Sequence, residues 1–319
     1  MAYLDEEQRR RARLRNIAQS FALVGGIGVI TALSAYTLFG QTGVAWALVF
    51  VGVFSLIGPR VAPDTIMRMF NARPIDPSRG ADIVRLVQSL SERAGLKAAP
   101  RLYVVPSQTM NAFAVGTPSR YSLGVTEGLL RRLDSRELAG VLAHEITHVR
   151  NNDIWVMSLA DILSRFTRSM SFFAIFLFFL SVPATVFRGT PVPWVAIMLL
   201  YFAPTFSSLL QLALSRSREF DADLGGASLT GDPEGLALAL GKLEHYQGRL
   251  WEDIFMPGRR IPIPSVLRTH PQTSERVARL MALKKPETAP LLLRNPWGHV
   301  AGLAPFPSQP RYHWNGFWF

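Results

Sequence analysis

The segment His144-Glu145-Ile146-Thr147-His148 sets two imidazoles four positions apart, with a carboxylate beside the first. On a helix, residues i and i+4 lie one turn apart on the same face, so His144 and His148 can offer two ring nitrogens to one metal ion. Glu145 then points to the rim of that site, placed to take a proton from an activated water. Two histidine ligands and a general base at this spacing form the H-E-x-x-H arrangement of metal-assisted hydrolysis. The same five letters also arise on surface helices with two unrelated histidines. The surroundings favour chemistry, because His144 and His148 are two of only six histidines. Asp134 is placed to cap a helix whose Leu138, Val141, Leu142 and Ile146 form one apolar stripe.

A catalytic zinc takes three protein ligands and keeps a fourth position open. A third histidine six residues after His148 is excluded, since position 154 is Ile. Glu219, within Ser217-Arg218-Glu219-Phe220-Asp221-Ala222-Asp223, is the best third ligand for a single Zn2+ per chain. Asp223, four residues on, is placed to accept a hydrogen bond from the outer nitrogen of a ligating histidine. The alternative for both acids is a solvated helix face just outside the membrane, and His245, His270 and His299 are rival ligands. His270, ahead of Pro271, either stabilises an oxyanion or merely occupies a turn. Asn111, Ala112, Phe113 and Ala114 lie in a strand that either accepts substrate backbone along its edge or belongs to the core.

The elements that must position these groups are legible from composition. Of 319 residues, 49% are hydrophobic and 18% charged, against roughly a quarter charged in soluble domains. The apolar residues cluster in blocks, which indicates membrane spans. Residues 17–59 contain no charge and are interrupted by Gly40-Gln41-Thr42-Gly43, a turn signature. They read as a helical hairpin of residues 17–39 and 44–59, the second arm short against the ~20 residues of a full span. The uncharged stretch is too long for the 7–15-residue apolar core of a signal peptide, roughly. Residues 169–187 and 189–215, separated by Arg188, give a second hairpin. Its prolines at 183, 191, 193 and 204 are tolerated in membrane helices.

Of the 34 Lys and Arg residues, 33 fall outside the two hairpin loops, and several flank spans directly. The positive-inside rule therefore places both termini and the motif in the cytoplasm. The net charge of +11 follows from the same rule. Without a basic stripe interleaved with aromatics it does not indicate nucleic acid. The absence of cysteine removes thiolate ligands and disulfides.

The organisation expected is a basic arm (1–16), a transmembrane hairpin (17–59) and the first part of a catalytic domain with the motif helix (60–168). A second hairpin (169–215), the second part of the domain with the third ligand (216–285) and a Pro/aromatic-rich tail (286–319) follow. The tail's Trp297, Trp314 and Trp318 suit an interfacial anchor or a disordered end. Within the domain, periodicity predicts a helix over 78–95 and strands over 101–105, 111–115 and 121–125. A helix opens at Asp232-Pro233-Glu234. The motif helix must turn back near Asn151-Asn152-Asp153, because a straight continuation to residue 169 would add about 32 Å. An intramembrane site is disfavoured by Arg136, Glu137 and Arg150 around the motif. A non-catalytic four-span scaffold or transporter with an incidental metal site is the other alternative, and the intact Glu145 argues against it.

Four segments occur in order with a span pair before and between them. They are Asn111-Ala-Phe-Ala-Val-Gly116, Val141-Leu-Ala-His-Glu-Ile-Thr-His-Val-Arg-Asn-Asn-Asp153, Glu219-Phe-Asp-Ala-Asp223 and Thr269-His-Pro-Gln-Thr-Ser-Glu-Arg276. Together, across residues 15–285, they resemble the HtpX family of bacterial membrane zinc proteases, relatives of the CAAX prenyl endoprotease. The resemblance implies an α+β, mostly helical membrane protein with four transmembrane helices. It implies a gluzincin-like zinc protease domain carrying a small β-sheet, with His144, His148 and Glu219 as ligands and Glu145 as base. It further implies polypeptide substrates, residence in the bacterial inner membrane and a part in membrane protein quality control. The long separation of His148 from Glu219 is explained by the inserted hairpin.

Overall fold

The computed structural model describes residues 6–57, 62–76, 80–117, 119–189, 192–255 and 273–283. In chain order the elements are α1 (Glu6–Ile57), α2 (Pro63–Met69), β1 (Arg73–Pro74), α3 (Ala81–Arg93), β2 (Arg101–Val105), β3 (Ala112–Thr117) and β4 (Arg120–Thr126). There follow α4 (Glu127–Arg132), α5 (Ser135–Arg150), α6 (Asp153–Arg188), α7 (Trp194–Thr230), α8 (Pro233–Phe255) and α9 (Thr273–Met281).

α1 breaks at Gly40, whose φ of 60° and ψ of −146° lie far from helical values and suit a residue without a Cβ. The chain folds back there. A Cβ on Gly43 would meet the carbonyl oxygen of Ala35 at 2.3 Å, whereas eight residues of straight helix span about 12 Å. Thr31 in the first arm shares a 2.9 Å hydrogen bond with Thr167 of α6. Phe50 in the second arm packs on Phe166, ring centroids 5.1 Å apart. Residues 31 and 50 therefore stand at one height on either side of the turn. Three described helices are long and apolar enough to cross a bilayer, and because the first is doubled back, four arms pack side by side.

α6 and α7 do not stop where their apolar runs stop. Each is about 55 Å long, well beyond a hydrocarbon core of about 30 Å, so both continue from the membrane into the catalytic domain. The second apolar run also begins differently from expectation. Gly189 has a φ of 65°, Pro193 stands at the helix entrance, a position proline favours, and α7 starts at Trp194.

The sheet has the order β1-β2-β4-β3, with β2 parallel to β4 and β3 antiparallel to it. β3 is thus an edge strand, and all six of its residues are half-buried. Leu86, Val87 and Leu90 of α3, Leu123 and Val125 of β4, and Leu138, Leu142 and Ile146 of α5 share one core. Full burial of such side chains stabilises by roughly 1.5–3 kcal/mol each. α5 begins with a capping box in which the Asp134 side chain accepts from Arg136 and Glu137, and Glu137 accepts from the Asp134 N–H. Such a cap contributes about 1 kcal/mol. The strands and α3 lie within a few residues of their expected bounds. β1, α2 and α4 are too short to leave a periodic signal.

Candidate active site

α5 ends at Arg150, and Asn152 adopts a φ of 58°, a conformation that asparagine tolerates better than most residues. This residue makes the turn expected after His148 and brings Asp153, the first residue of α6, back beside the motif. His148 Nδ1 lies 2.8 Å from Asp153 Oδ2. His144 Nδ1 lies 3.1 Å from Asp223 Oδ1. Each aspartate is held in turn by a buried arginine. Arg218 donates to Asp153 at 2.9 Å, and Arg276 grips Asp223 with two hydrogen bonds of 2.6 and 2.7 Å. The two histidines are therefore backed by matching Asp–Arg pairs, one from α6 and α7, the other from α7 and α9.

With Nδ1 of His148 bonded to Asp153 and Nδ1 of His144 set beside the Asp223 carboxylate, each ring turns Nε2 inward. The two Nε2 atoms face one another at 3.1 Å. Glu219 oxygens lie 3.6 Å from His144 Nε2 and 3.9 Å from His148 Nε2, and Arg276 approaches Glu219 at 3.0 Å. One nitrogen from each histidine and one Glu219 oxygen fall within 4.8 Å of one another. Lone pairs on nitrogen and oxygen aimed at one point repel unless a cation lies among them, and this donor set fits a dipositive metal of borderline softness. The His144 ring bears the same signature. Burial pulls its pKa down, but Asp223 and Glu219 outweigh that and push it up to about 10. Burial likewise pushes Asp223 up, yet Arg276 and His144 hold it below the ordinary carboxylate range.

Glu145 faces both histidines. Its carboxyl is raised chiefly by loss of hydration, with His144 and His148 pulling the other way, and it accepts a hydrogen bond from the backbone N–H of Ala114. Ala112, Phe113 and Ala114 of β3 thus lie beside the motif on the sheet edge, and Asn111 immediately precedes them, its N–H bonded to Thr126 Oγ1. Among the rival ligands, His245 is exposed on α8, while His270 and His299 fall outside the described residues. Sequence reasoning missed Asp153, Arg218 and Arg276. Asp153 looked like a turn residue and Arg218 like a membrane-flanking charge. Arg276 is quoted in the fourth segment, but its direction is set by the docking of α9, where Leu280 packs with Leu236 and Leu240 of α8.

The pattern of Peptidase family M48 matches residues 77–284. A Protease HtpX homolog of Ralstonia nicotianae is 32% identical, covering 86% of this chain and 99% of that protein. A Protease HtpX homolog of Methylibium petroleiphilum is 34% identical, over 84% of this chain and 98% of that protein. The crystal structure of S. mikatae Ste24p superposes with a TM-score of 0.48 at 21% identity, over 85% of this chain and 66% of that one. The histidine–glutamate cluster, the long apolar helices and relatives that match nearly end to end all point one way: the chain belongs to peptidase family M48 and is an HtpX-like membrane metalloprotease.

Proposed function

We propose that this protease is a zinc endopeptidase of the bacterial inner membrane that cleaves membrane or misfolded proteins at the cytoplasmic face, as part of membrane protein quality control. The observation that carries the reading is the convergence of His144, His148 and Glu219 with Glu145 beside both imidazoles. The cytoplasmic placement is supported by the position of 33 of 34 basic residues outside the two hairpin loops. The quality-control role follows from the resemblance to HtpX proteases.

Zinc, when bound, lowers the pKa of water and polarises the scissile carbonyl. Glu145 accepts the proton of the attacking water and passes it to the leaving amine. A carboxyl already pushed up by its surroundings suits a group that must hold that proton between the two events. Asp153 and Asp223 fix the ring orientation of His148 and His144, and Arg218 and Arg276 keep both aspartates charged and aimed. The edge of β3 that no described strand pairs takes the substrate backbone by strand addition, with Asn111 to Ala114 nearest the chemistry. His270 is assigned to the oxyanion.

Metal analysis of detergent-purified protein, paired with cleavage of casein, tests the reading. One zinc per chain is expected, and Glu145→Gln keeps that zinc while losing nearly all cleavage. Cleavage by Glu145→Gln at the wild-type rate sinks the mechanism.

A further inference from the structure

Asp161, Arg165 and Arg168 recur at i, i+4 and i+7 on α6 and so share one face of that helix. The face is turned outward, with the side chains of Asp161 and Arg165 45% and 76% exposed and joined by a 2.7 Å ion pair. Arg168 is exposed as well. The contacts between arms fix how deep these charges sit. Thr31 is level with Thr167, and sixteen residues of α1 separate it from Arg15, about 24 Å of helix. Phe50 is level with Phe166, and the helix continues to Ile57 without a charge, about 10 Å further. Gly26 of α1 abuts Leu210 of α7. Counting antiparallel from that contact puts residue 205 level with Thr31, about 16 Å above Arg216. By the same count Arg168, Arg165 and Asp161 stand about 18, 14 and 8 Å above the level of Arg216, each beside uncharged residues of the other three arms.

Ionised groups facing lipid at that depth are costly, and in membrane proteins they face water or protein instead. The stripe also begins beside the chemistry. Ser158, exposed one turn below Asp161, is five residues from Asp153, which bonds the motif's His148. We propose that this face of α6 is a hydrated track on which a polypeptide segment leaving the bilayer docks on its way to the active site. Its carboxylate, guanidinium and hydroxyl groups satisfy backbone N–H and C=O groups of a span end as it unwinds. Such groups otherwise have no partner in hydrocarbon. The occupant is the membrane-protein substrate itself, so the inference rests on the proposed function and extends it, giving α6 a part in substrate entry.

The cysteine-free chain permits a direct test in reconstituted vesicles. Arg168→Cys is compared with Leu33→Cys and Leu48→Cys, which are exposed at matching heights on the two arms of α1. A membrane-impermeant maleimide is expected to label position 168 and to leave 33 and 48 unlabelled. Labelling of all three would put this height outside the bilayer, and absence of label at 168 would leave no hydrated face. Either result overturns the proposal. Activity is then read as a ratio, the rate on a reconstituted single-span reporter with a cytoplasmic loop divided by the rate on casein. Combined Arg165→Leu and Arg168→Leu should lower that ratio about tenfold, the scale of one or two polar contacts in a membrane. Attaching the maleimide to folded Arg168→Cys should lower it similarly. An unchanged ratio in both defeats the track while leaving the protease reading intact. Failure of the wild type to cleave casein defeats the protease reading instead. Cross-linking of position 168 to its own copy in a second chain would make the face a dimer contact and overturn the proposal.

Discussion

At the scale of residues, the site is a nest of anionic and lone-pair donors whose inner members are the proposed ligands and whose outer members hold them in place. Glu219→Ala removes a donor from the three-membered set and is expected to abolish stoichiometric zinc. Asp153→Ala and Asp223→Ala leave all three donors but free the rings to rotate, so each should weaken metal affinity or activity by about 10–100-fold. Stoichiometric zinc in Glu219→Ala, with loss of zinc in a variant of His270 or His245, would show that the third ligand lies elsewhere. The same nest sets a pH dependence for the metal-free protein. His144 is raised from 6.5 to about 10, so its charged form stabilises the fold fully below pH 6.5. That contribution is lost as pH rises through 10. A proton and a metal also compete for one site, so zinc affinity should climb with pH over the same interval. Thermal melts of stripped protein and competitive zinc titrations across that range would check both. A flat response in both would mean that His144 is neutral without metal.

Between elements, the decisive contact is α5 against α7. Gly225 and Gly226 lie where a side chain has no room. A Cβ on Gly225 would come within 2.3 Å of Thr147 Cγ2, and one on Gly226 within 3.0 Å of the His144 backbone nitrogen. Glycine here lets the two helices approach until Glu219 and Asp223, two turns and one turn earlier on α7, reach the imidazoles. Gly226→Ala must push the helices apart by a few tenths of an ångström. As about 1 Å at reacting groups costs ~100-fold, a several-fold loss of activity is expected. Gly241 on α8 is the control, since nothing lies within 4 Å of a Cβ there. Gly241→Ala should stabilise by roughly 0.5–1 kcal/mol with activity unchanged. Equal kinetics for the two variants would show that helix separation does not govern the site. Arg279, stacked 3.8 Å over the Phe220 ring, fastens α9 to α7 and so brings Arg276 to Asp223.

At the scale of the whole molecule, α6 and α7 join membrane bundle and catalytic centre without a joint. The first residue of α6 bonds His148, and α7 carries Arg218, Glu219 and Asp223 within the same unbroken helix that crosses the bilayer. Tilting of these arms is therefore transmitted to the donors directly, and the centre must stand close to the membrane surface. Orientation can be read by labelling. Lys97→Cys, exposed after α3, and Gln41→Cys, exposed at the turn of α1, should react with an impermeant reagent from opposite sides of the membrane. Lys97→Cys is expected to react only from the cytoplasm. Reaction of Lys97→Cys from the periplasm would invert the topology and place the substrates on the other side.

The residues proposed to bear the chemistry were legible in the sequence because their determinants are local. The spacing of His144 and His148 needs only a helix, and the capping box and apolar stripe of α5 dictate one. The uncharged runs likewise mark membrane spans, since lipid excludes charge over some twenty residues at a time. Helix ends were less legible. α6 and α7 overrun their apolar stretches because a helix continues wherever nothing breaks it, and polarity marks the lipid boundary without marking the helix end. Only the tertiary structure paired Asp153 with Arg218 and Asp223 with Arg276. A carboxylate and a guanidinium 53 or 65 residues apart carry no local sign of one another. Their pairing depends on how α6, α7 and α9 dock. The depth of Asp161, Arg165 and Arg168 was hidden for the same reason. Read along the chain, they are charges before an apolar run; beside Thr31 and Phe50 they stand at the height of uncharged helix. That difference in height exists only between packed helices.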